Sequence, residues 1–366
     1  MRKREFIKCM ALGSGAVIFN PVNTFSSFNN PPFKEASYYV VTPRGIKCQI
    51  CPNECDIKPG ETGNCHTRLR KNDKLYAMAY SNPCAINVDP IEKKPLYQFF
   101  PGSTAYSVAI AGCNLVCLNC QNWTISQTGP DKTENYNLSP KDLVDQAIKN
   151  NCKSIAYTYS EPIVSFEWVR DSAIIAREKK IKTVLVSNGY INEKPLRELC
   201  KYLDASNVDL KSFSEDIYLK LNGGKLEPIL RTLKIMKELN VWLEITNLVI
   251  PSWTDDLKMI REMCKWLKTN GLDDVPLHFS RFFPLYKLTQ LPPTPAATLE
   301  NARKIALEEG LHYVYADNLP GTKSSNTFCP SCKASVIERK GFVITKNIVN
   351  SGKCGLCGKP IAGVWD

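Results

Sequence analysis

The chain has 366 residues, 43% hydrophobic and 23% charged, with a formal net charge of +11. These values are ordinary for a soluble globular protein with a large core and one or two small modules, and they exclude the strongly biased disordered and fibrous classes. The positive charge is spread along the chain. It could favour nucleic acid, anionic lipid or an acidic partner protein, but no run of Lys and Arg is long enough to mark a binding tail, and the plainer reading is a solvated basic surface.

In chain order, residues 1–37 read as a leader. Lys3-Arg4-Glu5-Phe6-Ile7-Lys8 resembles a twin-arginine export motif with Lys in place of the first Arg, and an apolar run follows from Met10 to Phe19. That run is too short to span a bilayer and fits a signal-peptide core. No small-x-small cleavage site follows it, so a vestigial leader remains the alternative. Next comes a Cys-, Pro- and Gly-rich module over 38–106 with little helical periodicity. Its Cys48, Cys51, Cys55 and Cys65 make a C-x2-C-x3-C-x9-C set. Four thiolates fit zinc or an auxiliary 4Fe–4S cluster. The spacing is not that of a bacterial ferredoxin, and the reading leans slightly to zinc. The stretch 89–102 reads as a linker.

Cys113, Cys117 and Cys120 follow the apolar run 107–111 as one C-x3-C-x2-C loop. Three thiolates on one loop can hold three irons of a 4Fe–4S cluster and leave the fourth without a protein ligand. An open metal position is where a substrate or cofactor binds. S-adenosylmethionine (SAM) is the natural occupant, since its amino and carboxylate groups can chelate that iron. The competing reading is a structural zinc knuckle, which normally uses paired C-x2-C units.

From 107 to 322 apolar runs alternate with amphipathic segments. Strands are expected near 107–111, 154–159, 183–187, 205–210, 241–250, 276–283 and 313–316. Helices are expected from Ser139-Pro140 onward, where Ser caps and Pro takes the first helical position, and near 164–178, 193–203, 226–239, 255–269 and 297–309. This alternation predicts an α/β fold with a parallel sheet, a partial (β/α)6-type barrel with functional residues at the C-terminal strand ends. Those ends carry Glu161, a candidate for the SAM ammonium or simply a helix-start acid. They carry Asn188 and Gly189, a candidate ribose contact or simply a turn. They also carry Asp209 and Lys211, a ligand-binding pair or simply a surface ion pair. His278 and Arg281 are weaker basic candidates. With three histidines in the chain, histidine acid–base chemistry is not its theme.

The tail, 323–366, holds Cys329, Cys332, Cys354 and Cys357 as two C-x2-C knuckles. Knuckles flanking a hairpin predict a closed structural zinc ribbon, with an iron–sulfur relay as the minority alternative. Eleven of the sixteen cysteines thus fall in three tight groups, which favours metal ligation over disulfides. The other five, Cys9, Cys84, Cys152, Cys200 and Cys264, read as ordinary thiols.

The triplet, Glu161, Ser187-Asn188-Gly189 and Asp209-Leu210-Lys211 together resemble radical SAM enzymes of the pyruvate formate-lyase activating enzyme type. A closer resemblance, spanning almost the whole chain, is to the radical SAM member of the AmmeMemoRadiSam system. It rests on Cys48-Gln-Ile-Cys-Pro52, Asp89-Pro-Ile-Glu-Lys-Lys-Pro-Leu-Tyr97, Cys120-Gln-Asn-Trp-Thr-Ile-Ser-Gln127, Asn318-Leu-Pro-Gly321 and Gly363-Val-Trp365. The resemblance implies cluster ligation by Cys113, Cys117 and Cys120 and SAM contacts near Glu161, Asn188, Asp209 and Lys211. Many such proteins carry an aromatic before the last cluster cysteine. Asn119 stands there in this chain, so Trp123 is the candidate to cover the adenine.

The expectation is an enzyme that cleaves SAM to a 5′-deoxyadenosyl radical and takes hydrogen from a partner protein or small molecule. It would need a low-potential electron donor such as flavodoxin or ferredoxin. The alternatives are an RNA-modifying radical SAM enzyme and a non-enzymatic metal-binding interaction protein. Nucleic acid is disfavoured because basic residues and aromatics do not interleave. SAM and low-potential electrons are cytosolic supplies, so a cytoplasmic location is expected, with the leader leaving export open.

Overall fold

The computed structural model describes residues 33–319 and 321–365. The twin-arginine-like motif, Cys9 and the rest of 1–32 lie outside the described residues. Residues 33–37 are not leader: β1 (Lys34–Glu35) pairs antiparallel with Tyr76 and Ala77, and the Ser37 amide donates to Glu167 at 2.6 Å. β2 (Tyr39–Thr42), β3 (Gly45–Cys48) and β4 (Asp56–Ile57) form one three-stranded sheet. β5 (Arg68–Lys71) and β6 (Lys74–Ala77) complete another with β1.

The main sheet has eight strands: β7 (Ala85–Pro90), β8 (Thr104–Ala109), β9 (Ser154–Tyr157), β10 (Lys182–Ser187), β11 (Ala205–Asp209), β12 (Trp242–Val249), β13 (Leu277–Arg281) and β14 (Val314–Asp317). They lie in the order β14-β13-β12-β11-β10-β9-β8-β7, leaving β7 and β14 as edges. β8 to β14 are parallel, and β7 is antiparallel to β8. All seven expected strands form, so the parallel set has seven members rather than six. The β7–β8 hairpin begins in the expected Cys-rich module, so the boundary at 106 falls inside this sheet.

Helices follow the strands: α1 (Trp123–Ser126), α2 (Pro140–Lys149), α3 (Phe166–Glu178), α4 (Glu193–Cys200), α5 (Glu215–Ile217), α6 (Leu226–Glu238), α7 (Leu257–Thr269) and α8 (Ala296–Glu308). Ser139 caps α2 as predicted, its hydroxyl accepting from the Asp142 amide with Pro140 at the first helical position. The short α1 and α5 are too brief to leave a periodic signal. A π-helical turn, Tyr218–Asn222, extends α5.

Alternation along the strands divides the sheet into two faces. Tyr106, Ile155, Leu185 and Val208 join the helices in the main core. Ala105, Ala156, Val184 and Ala205 face the other way and pack on Ile91, Leu96, Phe99 and Phe100. The stretch 89–102 is therefore not a free linker. It lies against the sheet because small residues leave room there, and Leu96 and Phe99 are fully buried. Its polar groups are matched. Asp89 accepts from Lys93 at 2.9 Å and from the buried Lys94 at 2.5 Å. The Tyr97 and Gln98 amides donate to the Glu244 carboxylate at 2.9 and 2.8 Å.

The tail folds as β15 (Thr327–Phe328), β16 (Ser335–Lys340) and β17 (Val343–Asn347), then β18 (Val349–Asn350) paired with β19 (Lys353–Cys354). The β16–β17 hairpin lies between the two cysteine knuckles, as the spacing predicts. Cys329, Val336, Ile337 and Ile361 share a buried cluster with Tyr97, Tyr313 and Tyr315. Among the described residues no helix is long and apolar enough to cross a membrane.

Candidate radical SAM site

The loop leaving β8 presents Cys113, Cys117 and Cys120. Gly112 makes the exit possible. Its φ is +100°, and a Cβ there would lie 2.3 Å from the Cys65 carbonyl oxygen. The loop is pinned from the far side of the fold, where the Val116 and Leu118 amides donate to the Asn222 and Leu221 carbonyls at 2.9 Å each. Gly223 and Gly224 allow this approach, since Cβ atoms there would meet Val116 at 2.4 Å and Leu115 at 2.6 Å.

Each sulfur has a polar neighbour. The Asn222 amide donates to Cys117 at 3.2 Å, the Leu115 backbone amide to Cys113 at 3.4 Å, and the Ser126 hydroxyl lies 3.0 Å from Cys120. Such donors orient metal-bound thiolates and tune their metal. Burial pushes the Cys113 and Cys117 thiols up, Glu161 adding to it at Cys113 while Lys211 and Asn222 oppose it at Cys117. Buried thiols of this kind ionise readily only against a metal cation. The donor set therefore fits an iron–sulfur cluster.

The strand-end residues converge on this loop. Glu161 is fully enclosed, accepting from the Ser187 hydroxyl and Asn188 amide at 2.8 Å each and from the Ile163 amide at 3.3 Å. Burial raises its pKa to about 7 against the pull of those donors. Asn188 bonds Asn114 at 2.9 Å, accepts from Tyr190 at 2.8 Å and stands 3.7 Å from the Cys113 sulfur. Gly189 has φ +69°, and a Cβ there would meet Val208 at 2.9 Å. Lys211 pairs with Asp209 at 2.7 Å, with both side chains partly exposed. Burial works against the ammonium, but Asp209 and the Cys117 sulfur outweigh it and raise its pKa. Trp123 is exposed and stacks on Tyr286 with ring centroids 5.2 Å apart.

Residues 107–267, which carry the three cysteines, Glu161, Asn188, Gly189, Asp209, Lys211 and Trp123, match the radical SAM superfamily. The chain carries a radical SAM superfamily domain. It is 44% identical to an uncharacterized protein of Methanocaldococcus jannaschii over 333 residues, covering 90% of this chain and 98% of that one. It is 25% identical to pyruvate formate-lyase 1-activating enzyme of Escherichia coli K12 over 213 residues, covering 54% of this chain and 87% of that one. Among solved structures, SuiB of Streptococcus suis bound to S-adenosylmethionine matches with a TM-score of 0.47 and 18% identity, covering 62% of this chain and 53% of that one. A domain of pyruvate-formate lyase-activating enzyme from Bacteroides vulgatus matches with a TM-score of 0.39 and 14% identity, covering 45% of this chain and 99% of that one.

Two weaker expectations fare differently from the strand-end set. His278 is buried between Glu244 at 2.7 Å and Asp317 at 3.0 Å. Arg281 donates to the Thr294 carbonyl at 2.7 Å. Sequence reasoning missed Asn114, Ser126 and Asn222. The run Asn222-Gly-Gly224 was the available signal, because paired glycines mark a close backbone approach. In the tail, the sulfurs of Cys329, Cys332, Cys354 and Cys357 all lie within 4.8 Å of one another. The Cys357 and Leu356 amides lower the Cys354 thiol to about 7.

Proposed function

We propose that this radical SAM enzyme cleaves SAM reductively and takes a hydrogen atom from a partner protein. A 4Fe–4S cluster on Cys113, Cys117 and Cys120, bound to SAM through its open iron, would supply the electron that yields the 5′-deoxyadenosyl radical. The observation that carries the reading is a one-loop set of three sulfurs, each with its own polar neighbour.

In this reading the chain's own residues hold and shield the cofactor. Glu161 fixes the Ser187–Gly189 turn, which in turn sets Asn188 beside Cys113. Asp209 and Lys211 offer opposite charges to the ammonium and carboxylate of SAM at the end of β11. Trp123 and Tyr286 offer a flat aromatic surface. The sheet bearing these groups is a partial barrel, and the tail is a zinc ribbon whose four sulfurs fit one ion. A protein substrate is supported by the activating-enzyme relatives and by exposed apolar side chains at Val116, Trp123 and Leu219 on and beside the cluster loop.

The test is anaerobic. The chain is reconstituted with iron and sulfide, reduced, and given SAM, and 5′-deoxyadenosine is quantified. Product should appear with the parent and vanish with Cys117→Ala. Equal product from both would overturn the reading.

A further inference from the structure

The four sulfurs of the N-terminal set are arranged unlike the four in the tail. In the tail, Cys329–Cys357 and Cys332–Cys354 sulfurs lie 3.7 Å apart, close to the spacing of about 3.8 Å that four thiolates adopt around one zinc. Among the described residues, no three of Cys48, Cys51, Cys55 and Cys65 bring their sulfurs within 4.8 Å of one another. Nor do the three sulfurs of Cys113, Cys117 and Cys120 come that close. Thiolates bound to separate irons of one cluster must stand farther apart than thiolates sharing one ion.

Cys48, Cys51, Cys55 and Cys65 line one pocket, together with Ile50, Ile57, Ile163 and Val164.

Arg68 supplies an independent observation. It lines the same cavity and is 1% exposed. One guanidinium nitrogen donates to Glu167 at 2.8 Å, but its Nε and Nη2 have no partner. Unpaired guanidinium donors in an apolar enclosure are costly unless an anionic acceptor meets them. The inorganic sulfides and thiolates of an iron–sulfur cluster are such acceptors.

We propose that Cys48, Cys51, Cys55 and Cys65 hold a second 4Fe–4S cluster, with Arg68 donating to its sulfurs. This replaces the zinc favoured by spacing alone. The site abuts the radical SAM loop. The Asn53 side chain donates to the Asn114 carbonyl at 2.8 Å, Asn114 lines the cavity, and the Cys65 carbonyl packs on Gly112. With four protein thiolates the second cluster has no iron open to SAM.

The experiment counts iron, acid-labile sulfide and zinc in the anaerobically reconstituted full chain, with electron paramagnetic resonance after reduction. The parent should hold about eight irons and eight sulfides, against about four of each for a single cluster. The triple variant Cys113→Ala, Cys117→Ala, Cys120→Ala should keep half the iron, with a reduced-cluster spectrum that SAM does not change. The quadruple variant with Cys48, Cys51, Cys55 and Cys65 each changed to Ser should also lose half the iron, while keeping the SAM-responsive spectrum. Retention of the tail's metal and an unchanged circular dichroism spectrum show that each variant is folded. Two zincs per chain, or a triple variant that is folded yet iron-free, would overturn the proposal. Because the count is made without SAM turnover, it stands or falls separately from 5′-deoxyadenosine formation.

Discussion

His278 should remain protonated far above the ordinary range of an imidazole. Burial alone would lower its pKa, but Asp317 and Glu244, at 3.0 and 2.7 Å, overcome this and raise it from 6.5 to about 9. The sign follows from linkage. The folded chain holds the proton more tightly than the unfolded one, so the stabilisation is complete below about pH 6.5 and is lost as pH rises through about 9. Its size is about 3 kcal/mol, taking 1.36 kcal/mol for each factor of ten in proton affinity. Lys94, pushed down to about 8 by burial against the pull of Asp89, acts with the opposite sign in an overlapping window. The quantity to read is therefore the difference between the parent and His278→Gln. Urea unfolding between about pH 6 and 10 should show the parent's advantage shrinking by about 3 kcal/mol. Ring-labelled histidine NMR gives an independent readout, since His66, His278 and His312 are the three histidines of the chain. One signal should titrate near pH 9 and disappear in His278→Gln. A constant gap between the two unfolding profiles, with no histidine signal titrating near pH 9, would refute the reasoning.

Glu167→Gln should destabilise the fold by about 3–5 kcal/mol in urea unfolding, because it leaves the Arg68 guanidinium buried without its charge partner. Gly112→Ala should abolish iron incorporation at the triplet or prevent folding, since its Cβ would overlap the Cys65 carbonyl at a left-handed backbone position. Retained iron with unchanged unfolding would contradict that contact. Asn222→Ala removes a donor to the Cys117 sulfur and should make the SAM-site cluster harder to reduce. A potentiometric titration followed by electron paramagnetic resonance should show a more negative midpoint, and no shift would deny Asn222 that role.

Much of the site was legible because its chemistry is local. The spacing of Cys113, Cys117 and Cys120 is a property of eight consecutive residues, and the strand-end positions of Glu161, Asn188 and Asp209 follow from apolar periodicity. The seven parallel strands and six longer helices were legible for the same reason. The β7 strand was not, because an edge strand exposed on one side lacks a continuous apolar run. The stretch 89–102 looked like a linker because its charged Asp, Glu and Lys residues and its prolines interrupt any apolar period. Only the pairing of Asp89 with Lys93 and Lys94, and of the Tyr97 and Gln98 amides with Glu244, makes it a buried segment.

By itself the sequence sorted eleven cysteines into three groups by spacing and left one group with three where the others have four, since spacing along a loop limits which sulfurs can reach a common centre. It did not determine what each set of four would hold. That depends on how far apart the folded backbone keeps the sulfurs, and Cys48 to Cys65 are spread by two small sheets, Arg68 and the neighbouring cluster loop. The tertiary structure also decided which donors reach the triplet. Asn222 is 105 positions from Cys117 in the chain, and only the packing of the π-helical turn against the cluster loop brings them together.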